Sequence, residues 1–416
     1  MTQLLTRPGG ATTRPALSRC VAVPPAEFVA RYWGAAPLLS RAAELGGHGF
    51  ADLLDADGVD ELLSRRGLRT PFLRIAQDGQ VVAPDRYTGG GGAGAEVGDQ
   101  VLDERILDLY AGGATLVLQG LHRIWPPLVD FAADLSAELG HPAQVNAYLT
   151  PPANQGFATH YDTHDVFVLQ VDGRKRWRIH EPVVPDPLER QPWGGRADEV
   201  AAVAAGPPAL EAVLAPGDAL YLPRGWLHSA RAEGGQSLHL TVGVRALTRY
   251  ALVEALLGLA AEDRRLRAGL PFGLDPADPE ELAPELGATV AALRDWLATA
   301  DPSAVAERLR ARAWPAARPA PIRPVAQAAA VAALDLDARV TRRPGLRWQL
   351  VVDGADRVTL RVFDRTVSLP GECAPAVRAL LSGGTHRIGD LPGLDDHSRL
   401  VVARRLLREA ILIPAS

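Results

Sequence analysis

The sequence predicts an α+β protein with a mainly β core, followed by a helical region and a smaller mixed C-terminal domain. From residue 142, short apolar segments follow one another with Gly, Pro and Asp turns between them, a pattern typical of a sandwich or barrel. Residues 249–267 and 280–313 are rich in Ala, Leu, Arg and Glu and show helical patterning only. After a Pro-rich linker at 314–324, short strands again alternate with helices.

The length and composition set the expected domain organisation. A chain of 416 residues suggests two or three domains, and 47% apolar with 22% charged residues is ordinary for a soluble globular protein. We predict a flexible N-terminal tail at 1–20, a β-rich domain at 21–248, a helical domain with its linker at 249–325, and a final domain at 336–416.

Charge and cysteine content argue against several classes of protein. A formal net charge of −5 disfavours a chain built to coat nucleic acid. The two cysteines, Cys20 and Cys373, lie far apart and fit neither a disulfide framework nor a thiolate zinc site, which favours a reducing, cytoplasmic setting. The N-terminus lacks the apolar core of a signal peptide, and no apolar run approaches the ~20 residues that span a bilayer.

Local patterns predict the elements that precede the β-rich segment. Apolar residues at helical spacing predict four helices, at 24–45, 51–66, 101–111 and 124–139. The pattern of residues 71–82 predicts a hairpin around Asp78-Gly79, and that of residues 114–120 predicts a buried strand. The glycine-rich stretch 89–98 predicts a flexible loop. A Pro/Gly-rich excursion at 182–208 interrupts the later strands, and long loops in compact domains are often functional.

The first candidate metal ligands are His160 and Asp162, an H-x-D pair that we expect to lie inside a strand. Side chains alternate faces along a strand, so residues two apart present a nitrogen and a carboxylate oxygen on the same side. His164 shares that face but lies ~13 Å along the strand from His160, at ~3.3 Å per residue, so another segment has to supply the third ligand.

The segment PGDALYLPRGWLH at 216–228 offers that ligand in His228. A tight turn leads into a short strand, and a second Pro/Gly break places the histidine just beyond the strand end. Two histidines and one carboxylate form the facial triad of non-haem Fe(II) oxygenases, which leaves three coordination positions open. H-x-D alone is a weak signal, and its specificity comes from the second motif some sixty residues later.

These segments resemble a known family. The runs at 146–182, 216–230 and 237–244 are similar to the JmjC-type ribosomal oxygenases, which hydroxylate an arginine or histidine of ribosomal proteins with Fe(II), 2-oxoglutarate and O₂. The resemblance implies a double-stranded β-helix of the cupin or JmjC type, followed by a helical dimerisation region and a winged-helix domain. It further implies a homodimer with a ribosomal protein as substrate.

The resemblance also suggests roles for pocket residues. In the family, a cation fifteen residues after the first metal histidine binds the distal carboxylate of 2-oxoglutarate, and here that residue is Lys175. Asn146, Tyr148 and Thr241 occupy positions expected to lie near the cosubstrate. Three other polar residues are candidates for substrate contact or for support of the ligands: His164, Asp165 and His239.

Composition gives independent support for Lys175. It is the only lysine among 44 basic residues, in a chain whose other cations are all arginine. An anionic cosubstrate needs a cation in its pocket, and a compact ammonium is not interchangeable with a guanidinium. The alternative is that Lys175 is one more exposed charge in the run RKRWR.

Two other functions stay open at this level. The same chemistry could act on a small molecule or a free or peptidyl amino acid, and demethylation by the same route is compatible with the residues. In a different class, the barrel could sense a metal while the C-terminal domain binds DNA through the arginines of its last helix.

Overall fold

A computed structural model describes residues 3–5, 15–77, 79–152, 157–353 and 356–415. The chain divides into two compact units, one formed by residues 9–246 and the other by 1–8 with 247–416. The predicted flexible tail at 1–20 lies partly outside the described residues. Its last part is packed, because Ala16, Leu17 and Cys20 are buried and the Glu138 carboxylate accepts the backbone N–H groups of Ala16 and Leu17.

The strands, in chain order, are β1 (Gln3–Leu5), β2 (Leu38–Ser40), β3 (Leu73–Gln77), β4 (Gln80–Val81), β5 (Thr88–Gly89), β6 (Gln100–Val101), β7 (Thr115–Leu118), β8 (Ala143–Thr150), β9 (Asp165–His180), β10 (Leu210–Leu214), β11 (Ala219–Leu222), β12 (Leu227–Val244), β13 (Arg339–Arg342), β14 (Trp348–Asp353), β15 (Arg357–Val362), β16 (Arg365–Pro370), β17 (Thr385–Arg387) and β18 (Leu412–Pro414).

The α-helices are α1 (Pro15–Ser18), α2 (Pro25–Arg31), α3 (Ala56–Arg65), α4 (Asp103–Ala111), α5 (Leu121–Ile124), α6 (Pro126–Leu139), α7 (Ala197–Ala204), α8 (Arg249–Ala260), α9 (Pro279–Leu297), α10 (Pro302–Ala316), α11 (Pro324–Ala332), α12 (Ala374–Ser382) and α13 (Asp396–Arg408). Short 3₁₀ turns occur at Pro84–Arg86, Trp193–Arg196, Arg264–Arg267, Gly371–Cys373 and Ile388–Asp390.

Two long strands organise the first unit. The sheet runs in the order β2-β11-β9-β12-β8-β7-β3-β4, with β10 also paired to β9. The N-terminal half of β9 pairs with β11 and with the end of β12, and its C-terminal half pairs with β10 and with the start of β12. Each long strand therefore contributes to both ends of a folded-over β structure, as expected for a double-stranded β-helix.

The short strands and turns expected from residue 142 are not all separate, because β9 is continuous through Gly173. Gly173 has a φ of +64°, in the left-handed region that favours glycine, so the chain bends here and does not reverse. The register between β9 and β12 shifts at the same level, between Glu233 and Leu238, as at a β-bulge. The bend lets one strand serve two sets of partners.

The predicted helix at 24–45 is also wrong beyond its first turns. Helix α2 ends at Arg31, Gly34 adopts a φ of +68°, and Leu38–Ser40 joins β11 as an edge strand. The apolar spacing of this segment is satisfied by an open sheet edge, because pairing with a distant strand outweighs local helix propensity. The hairpin β3-β4, strand β7, and helices α3, α4 and α6 confirm the other predicted elements.

A continuous apolar core lies between the N-terminal helices and one face of the sheet. Leu62 from α3, Leu128 and Leu135 from α6, and Phe167 and Leu240 from the sheet belong to the same buried cluster. The opposite face of the sheet carries a second buried apolar cluster, which includes Val166, Val168 and Leu220, and opens into a cavity described below.

The excursion at 182–208 contains ordered structure, including the 3₁₀ turn Trp193–Arg196 and helix α7. Tyr161 and Leu227 form a small buried cluster with Val200 of this helix. The Tyr161 hydroxyl donates to the carbonyl of Gln191 at 2.9 Å. The excursion is therefore attached beside the segment that carries the first candidate ligands.

The second unit contains helices α8–α13 and two small sheets, ordered β1-β14-β15-β16 and β17-β13-β18. Its buried cluster includes Leu350, Leu360, Val377, Leu380 and Leu406. The order of helices, then mixed strands and helices, agrees with the pattern expected from the sequence. A winged-helix classification of residues 336–416 stays a prediction. Among the described residues, no helix is both long enough and apolar enough to cross a bilayer.

We predict that Gly173→Ala destabilises the first unit by more than about 3 kcal/mol. A Cβ at this position would lie 1.9 Å from the backbone oxygen of Gln236, in addition to the ~1–2 kcal/mol penalty of the left-handed conformation. Gly234→Ala is the matched control, since Gly234 has a φ of +78° and a Cβ added there would have no atom within 4 Å. Chemical denaturation should give the larger loss for Gly173→Ala, and equal losses would contradict this account.

Candidate active site

The three predicted ligands lie together. The candidate donor atoms of His160, Asp162 and His228 are all within 4.8 Å of one another. The Nε2 atom of His228 is 3.7 Å from Oδ2 of Asp162, and the two imidazole rings have centroids 4.5 Å apart. His228 is buried, while His160 and Asp162 are partly exposed, so the site is open on one side.

A pair of backbone hydrogen bonds sets the spacing of the histidines. The N–H of His160 donates to the carbonyl of His228 at 3.2 Å, and the N–H of His228 donates back to His160 at 2.8 Å. The expectation that H-x-D lies within a strand was wrong, because β9 begins only at Asp165 and His160 forms an isolated bridge. The ligands meet through this bridge and an irregular segment after it, and not through strand alternation.

The turn before His228 depends on Gly225. Its φ is +89°, and a Cβ there would lie 2.5 Å from the carbonyl oxygen of Val184 and 2.9 Å from Cδ of Pro187. The N–H of Gly225 donates to the carbonyl of Asp162 at 2.9 Å. One turn thus holds the backbone of the carboxylate ligand and leads directly into the strand that carries His228.

Asp165 and His164 do not belong to the cavity lining. The fully buried Asp165 carboxylate accepts the backbone N–H of Arg224 at 3.0 Å, and the Arg224 guanidinium is 3.7 Å from its second oxygen. Burial raises the pKa of Asp165. The His164 ring packs near Gly243, where an added Cβ would come within 2.5 Å of the ring. Asp165 therefore supports the backbone that leads to His228.

Both ligand imidazoles present Nε2 to the shared centre. Nδ1 of His160 is 2.8 Å from the carbonyl of Ala158, and Nδ1 of His228 is 3.1 Å from the carbonyl of Trp226. A protonated Nδ1 that donates to a carbonyl leaves Nε2 as a free acceptor, the form in which histidine binds metals. Burial, with the neighbouring His160, lowers the pKa of His228 to about 4.

The carboxylate completes a suitable donor set. Burial alone raises the pKa of Asp162, but the nearby histidines and Arg74 outweigh this effect and keep the pKa below its usual value. A carboxylate and two imidazoles on one side of a common point match the ligand type and number of a non-haem iron facial triad. The residues present therefore fit a divalent first-row metal ion.

The donor set opens into a cavity of about 420 Å³. Polar and aromatic side chains make up much of its wall, together with several valines and alanines. The polar and aromatic members, besides the three ligands, are Arg74, Thr115, Tyr148, Phe157, Lys175, Trp177, Trp193, Ser229, His239 and Thr241.

Lys175 is buried in this cavity, with 3% of its surface exposed, so the interpretation as an exposed strand charge was wrong. Its Nζ donates to Oγ1 of Thr150 at 2.9 Å, and within the described part of the chain it forms no ion pair with a carboxylate. Burial lowers its pKa to about 7. A buried ammonium that faces a cavity without a counter-charge is suited to an anionic ligand.

Tyr148 and His239 form one wall of the cavity. Their rings are stacked, with centroids 4.9 Å apart and an interplanar angle of 9°. Burial raises the pKa of Tyr148 to about 12 and lowers that of His239 well below its usual value, so both side chains are neutral at pH 7. Thr241, two residues along β12, lines the same cavity.

Asn146 takes a different place from the one expected. It is absent from the cavity lining among the described residues, and its Oδ1 accepts the backbone N–H of Gly120 at 3.0 Å. Its side chain hydrogen-bonds Tyr148. Asn146 therefore orients a residue that faces the cavity and does not face the cavity itself.

Several residues in or beside the cavity were not predicted from the sequence, among them Thr150, the hydrogen-bond partner of Lys175. Thr150 could have been found, because it lies two residues after Tyr148 on the same strand and so shares its face. Arg74, Phe157 and Trp193 come from separate hairpin and loop segments, and nothing in their local sequence indicates a common cavity. Long-range strand pairing and loop packing bring them together.

Comparison with known proteins gives consistent matches. Residues 129–252 match the JmjC domain family. Ribosomal oxygenase 1 of Bos taurus is 34% identical over 259 residues, which is 60% of this chain and 36% of that protein. The bifunctional lysine-specific demethylase and histidyl-hydroxylase NO66 of Drosophila persimilis is 43% identical over 136 residues, 31% of this chain and 19% of that protein. The matches span 36% of the length of the first relative and 19% of the length of the second.

Solved structures share the fold. The Escherichia coli ribosomal oxygenase YcfD aligns with a TM-score of 0.53 at 20% identity, over 94% of this chain and 98% of that chain. A structure of YcfD in complex with cobalt and 2-oxoglutarate aligns with a TM-score of 0.51 at 19% identity, over 95% and 99% of the two chains. Together, these comparisons show that residues 129–252 are similar to the JmjC domain and that the chain shares its fold with YcfD.

Proposed function

We propose that this chain is an Fe(II)- and 2-oxoglutarate-dependent dioxygenase that hydroxylates an arginine or histidine side chain of a ribosomal protein in the cytoplasm. The observation that carries the proposal is the convergence of His160, Asp162 and His228 at a cavity that also contains the buried, anion-seeking Lys175. The names of the relatives and the cobalt and 2-oxoglutarate complex of YcfD support the choice of cosubstrate and substrate.

Different residues of the chain bind the metal and 2-oxoglutarate. The two imidazoles and the Asp162 carboxylate hold the metal, and the carbonyls behind the imidazoles keep Nε2 directed to it. Lys175 pairs with the distal carboxylate of 2-oxoglutarate, with its ammonium oriented by Thr150. Lys175 lies four residues along β9 from Ile179, the residue paired with His228, a separation of ~13 Å at 3.3 Å per residue. The metal and Lys175 can therefore bind opposite ends of the diacid.

With O₂, bound Fe(II) supplies the oxidising chemistry that hydroxylates a C–H bond while 2-oxoglutarate is converted to succinate and CO₂. The protein orients the substrate side chain and restricts water. The neutral Tyr148 and His239, with the threonines beside them, line the cosubstrate wall without adding charge.

We predict that His228→Ala weakens Co(II) binding by at least about 100-fold and abolishes succinate formation, because one of three ligands is lost. His164→Ala is the matched control, a nearby histidine outside the donor set, and should change Co(II) affinity less than about threefold. Titration followed by Co(II) absorbance measures both. Equal losses in the two variants would contradict the assigned ligand set.

The affinity for 2-oxoglutarate should fall as pH rises above 7. The pKa of Lys175 is about 7 without a ligand, and a bound dianion favours the ammonium form. Below pH 7 the ammonium is already present, whereas above pH 7 binding has to take up a proton, so affinity drops by up to ~10-fold per pH unit. Calorimetry in buffers of different ionisation enthalpy measures this uptake.

Lys175→Arg is the control for that experiment, because a guanidinium stays charged and should remove the pH dependence between 7 and 8.5. Lys175→Met should weaken binding by at least about 30-fold, the equivalent of ~2 kcal/mol for loss of one partner in a buried charge pair. Proton uptake that persists in Lys175→Arg would assign the titrating group elsewhere.

The helical segment at 249–325 is proposed to form a homodimer interface. In α8 and α9 a set of large apolar side chains is 42–57% exposed: Leu252, Val253, Leu257, Leu286, Val290 and Leu297. Apolar side chains concentrated on adjoining helices in this way mark a protein–protein contact more often than an ordinary surface. The resemblance to the ribosomal oxygenases names a second copy as the partner.

We expect the wild-type chain to elute with twice its mass of 44.3 kDa in light scattering, and Leu286→Asp with Val290→Asp to give a monomer. Burial of two carboxylates in an apolar interface opposes association. Val401→Asp is the control, because Val401 is 47% exposed in α13 and lies outside residues 249–325. A monomeric wild type, or dimers in all variants, would exclude this interface.

The alternative of a DNA-binding sensor has weaker support. In α13, Arg399 pairs with Asp396 and donates to the carbonyl of Leu391, and Arg405 pairs with Glu409. These contacts occupy part of the positive charge that a recognition helix would direct to phosphates. For the alternative of a small-molecule substrate, the identity of the hydroxylated product decides between it and a protein.

A further inference from the structure

Arg74 lines the cavity but has no role in the proposed chemistry. It lies on β3 opposite Val117 of β7, which pairs with Tyr148 of β8, which in turn pairs with His239 of β12. Directly paired residues of antiparallel strands project from the same face of a sheet. Arg74 therefore faces the same side as the stacked Tyr148 and His239, and it lines the cavity.

The guanidinium is held beside the metal ligands by an aromatic ring. Its central carbon lies 5.2 Å from the ring centroid of Phe157. The Phe157 ring is in turn 6.1 Å from His160 and 6.3 Å from Tyr148. Stacking on an aromatic face restricts a guanidinium while leaving its N–H groups free to donate.

The hydrogen-bonding capacity of Arg74 is incompletely used. Its Nε is buried and has no partner among the described residues, and in the same part of the chain no carboxylate lies within ion-pair distance of it. A buried donor without a partner is uncommon and calls for an explanation such as an absent ligand. The donor belongs to a side chain that lines the cavity, so a group that enters the cavity can supply the acceptor.

The charge balance of the cavity decides which group that is. Apart from its histidines, the charged side chains in the lining are Asp162, Lys175 and Arg74. In the proposed enzyme, Asp162 binds the metal and Lys175 pairs with the cosubstrate. The charge left over is the positive guanidinium of Arg74, and the described lining offers no second carboxylate to receive a cationic substrate side chain.

We propose that Arg74 is a specificity-determining residue that excludes cationic side chains and donates a hydrogen bond to a neutral acceptor, so that this enzyme hydroxylates histidine and not arginine. The inference rests on the proposed function, and it selects between the two substrate side chains, arginine and histidine, that the proposed function leaves open. Like charges repel strongly in a cavity of low dielectric constant, which disfavours a substrate guanidinium. A neutral imidazole can accept from Arg74 and pack against the rings of Phe157 and Trp193, both about 6 Å from His160.

The first test uses ribosomal proteins from cells that lack this gene, incubated with the full-length enzyme, Fe(II), ascorbate and 2-oxoglutarate. Tandem mass spectrometry assigns each added oxygen to a residue. We expect hydroxylation on histidine, at least about tenfold reduced in Arg74→Gln and unchanged in Arg174→Gln, an exposed arginine outside the cavity. Hydroxylation on arginine or lysine, or on histidine regardless of Arg74, would overturn the proposal.

A binding measurement keeps the proposal testable without turnover. The Mn(II) and 2-oxoglutarate complex is titrated at pH 8 with N-acetyl-histidine methylamide and N-acetyl-arginine methylamide, with tryptophan fluorescence as the signal. Wild-type protein should bind the histidine derivative at least about tenfold more tightly, and Arg74→Gln should lose that preference. Equal or tighter binding of the arginine derivative would contradict the inference.

The affinity for 2-oxoglutarate separates Arg74 from the cosubstrate site. It should change less than about threefold in Arg74→Gln, whereas a loss above tenfold would make Arg74 a cosubstrate ligand and overturn its assigned role. If the wild type forms no succinate under any condition, the proposed function fails. The discrimination between the two amino-acid derivatives then still decides the inference about Arg74.

Discussion

The antiparallel pairing of β9 with β12 is the constraint on which the site depends. These two strands of 16 and 18 residues bring His228 to the end of the cavity where His160 forms its bridge. The same pairing places Lys175 farther along, opposite Ala232. Both strands bend at the level of Gly173. A single pairing of two strands therefore positions both His228, a candidate metal ligand, and Lys175, a candidate partner for an anion. A shift of one residue would turn all of these side chains to the opposite face.

Electrostatics explains why the cavity suits an anionic ligand. Lys175 is buried beside Thr150 without a carboxylate partner among the described residues, an arrangement that is unfavourable until an anion enters. The neighbouring Tyr148 and His239 are held neutral by burial and do not compensate its charge. In this part of the cavity, a dianion therefore pairs with the Lys175 ammonium alone. Arg74 provides a second cation on the same face, stacked on Phe157, where a substrate side chain would enter.

Support for the ligands comes from residues that do not touch the cavity. Gly225 permits the turn that holds Asp162, and the buried Asp165 fixes the backbone of the adjacent Arg224. Asn146 bonds both Gly120 and Tyr148, and Tyr161 attaches the long excursion beside the metal segment. Sequence position pointed to Asp165 and Asn146 as candidates for the site, and the structure shows that each acts through a neighbour. Such roles depend on contacts between distant segments, which local patterns do not contain.

The sequence by itself determined the residue types of the triad, the exceptional status of Lys175 and the change from strands to helices after residue 244, because spacing, composition and periodicity are local properties. It misjudged the helix at 24–45, since the sheet edge that recruits Leu38–Ser40 is formed by a strand some 180 residues later. It also placed His160 and Asp162 in a strand, whereas a bridge to His228 positions them. Tertiary structure alone decided that Arg74, Phe157 and Trp193 share one cavity, because only long-range strand pairing and loop packing set the distances between them.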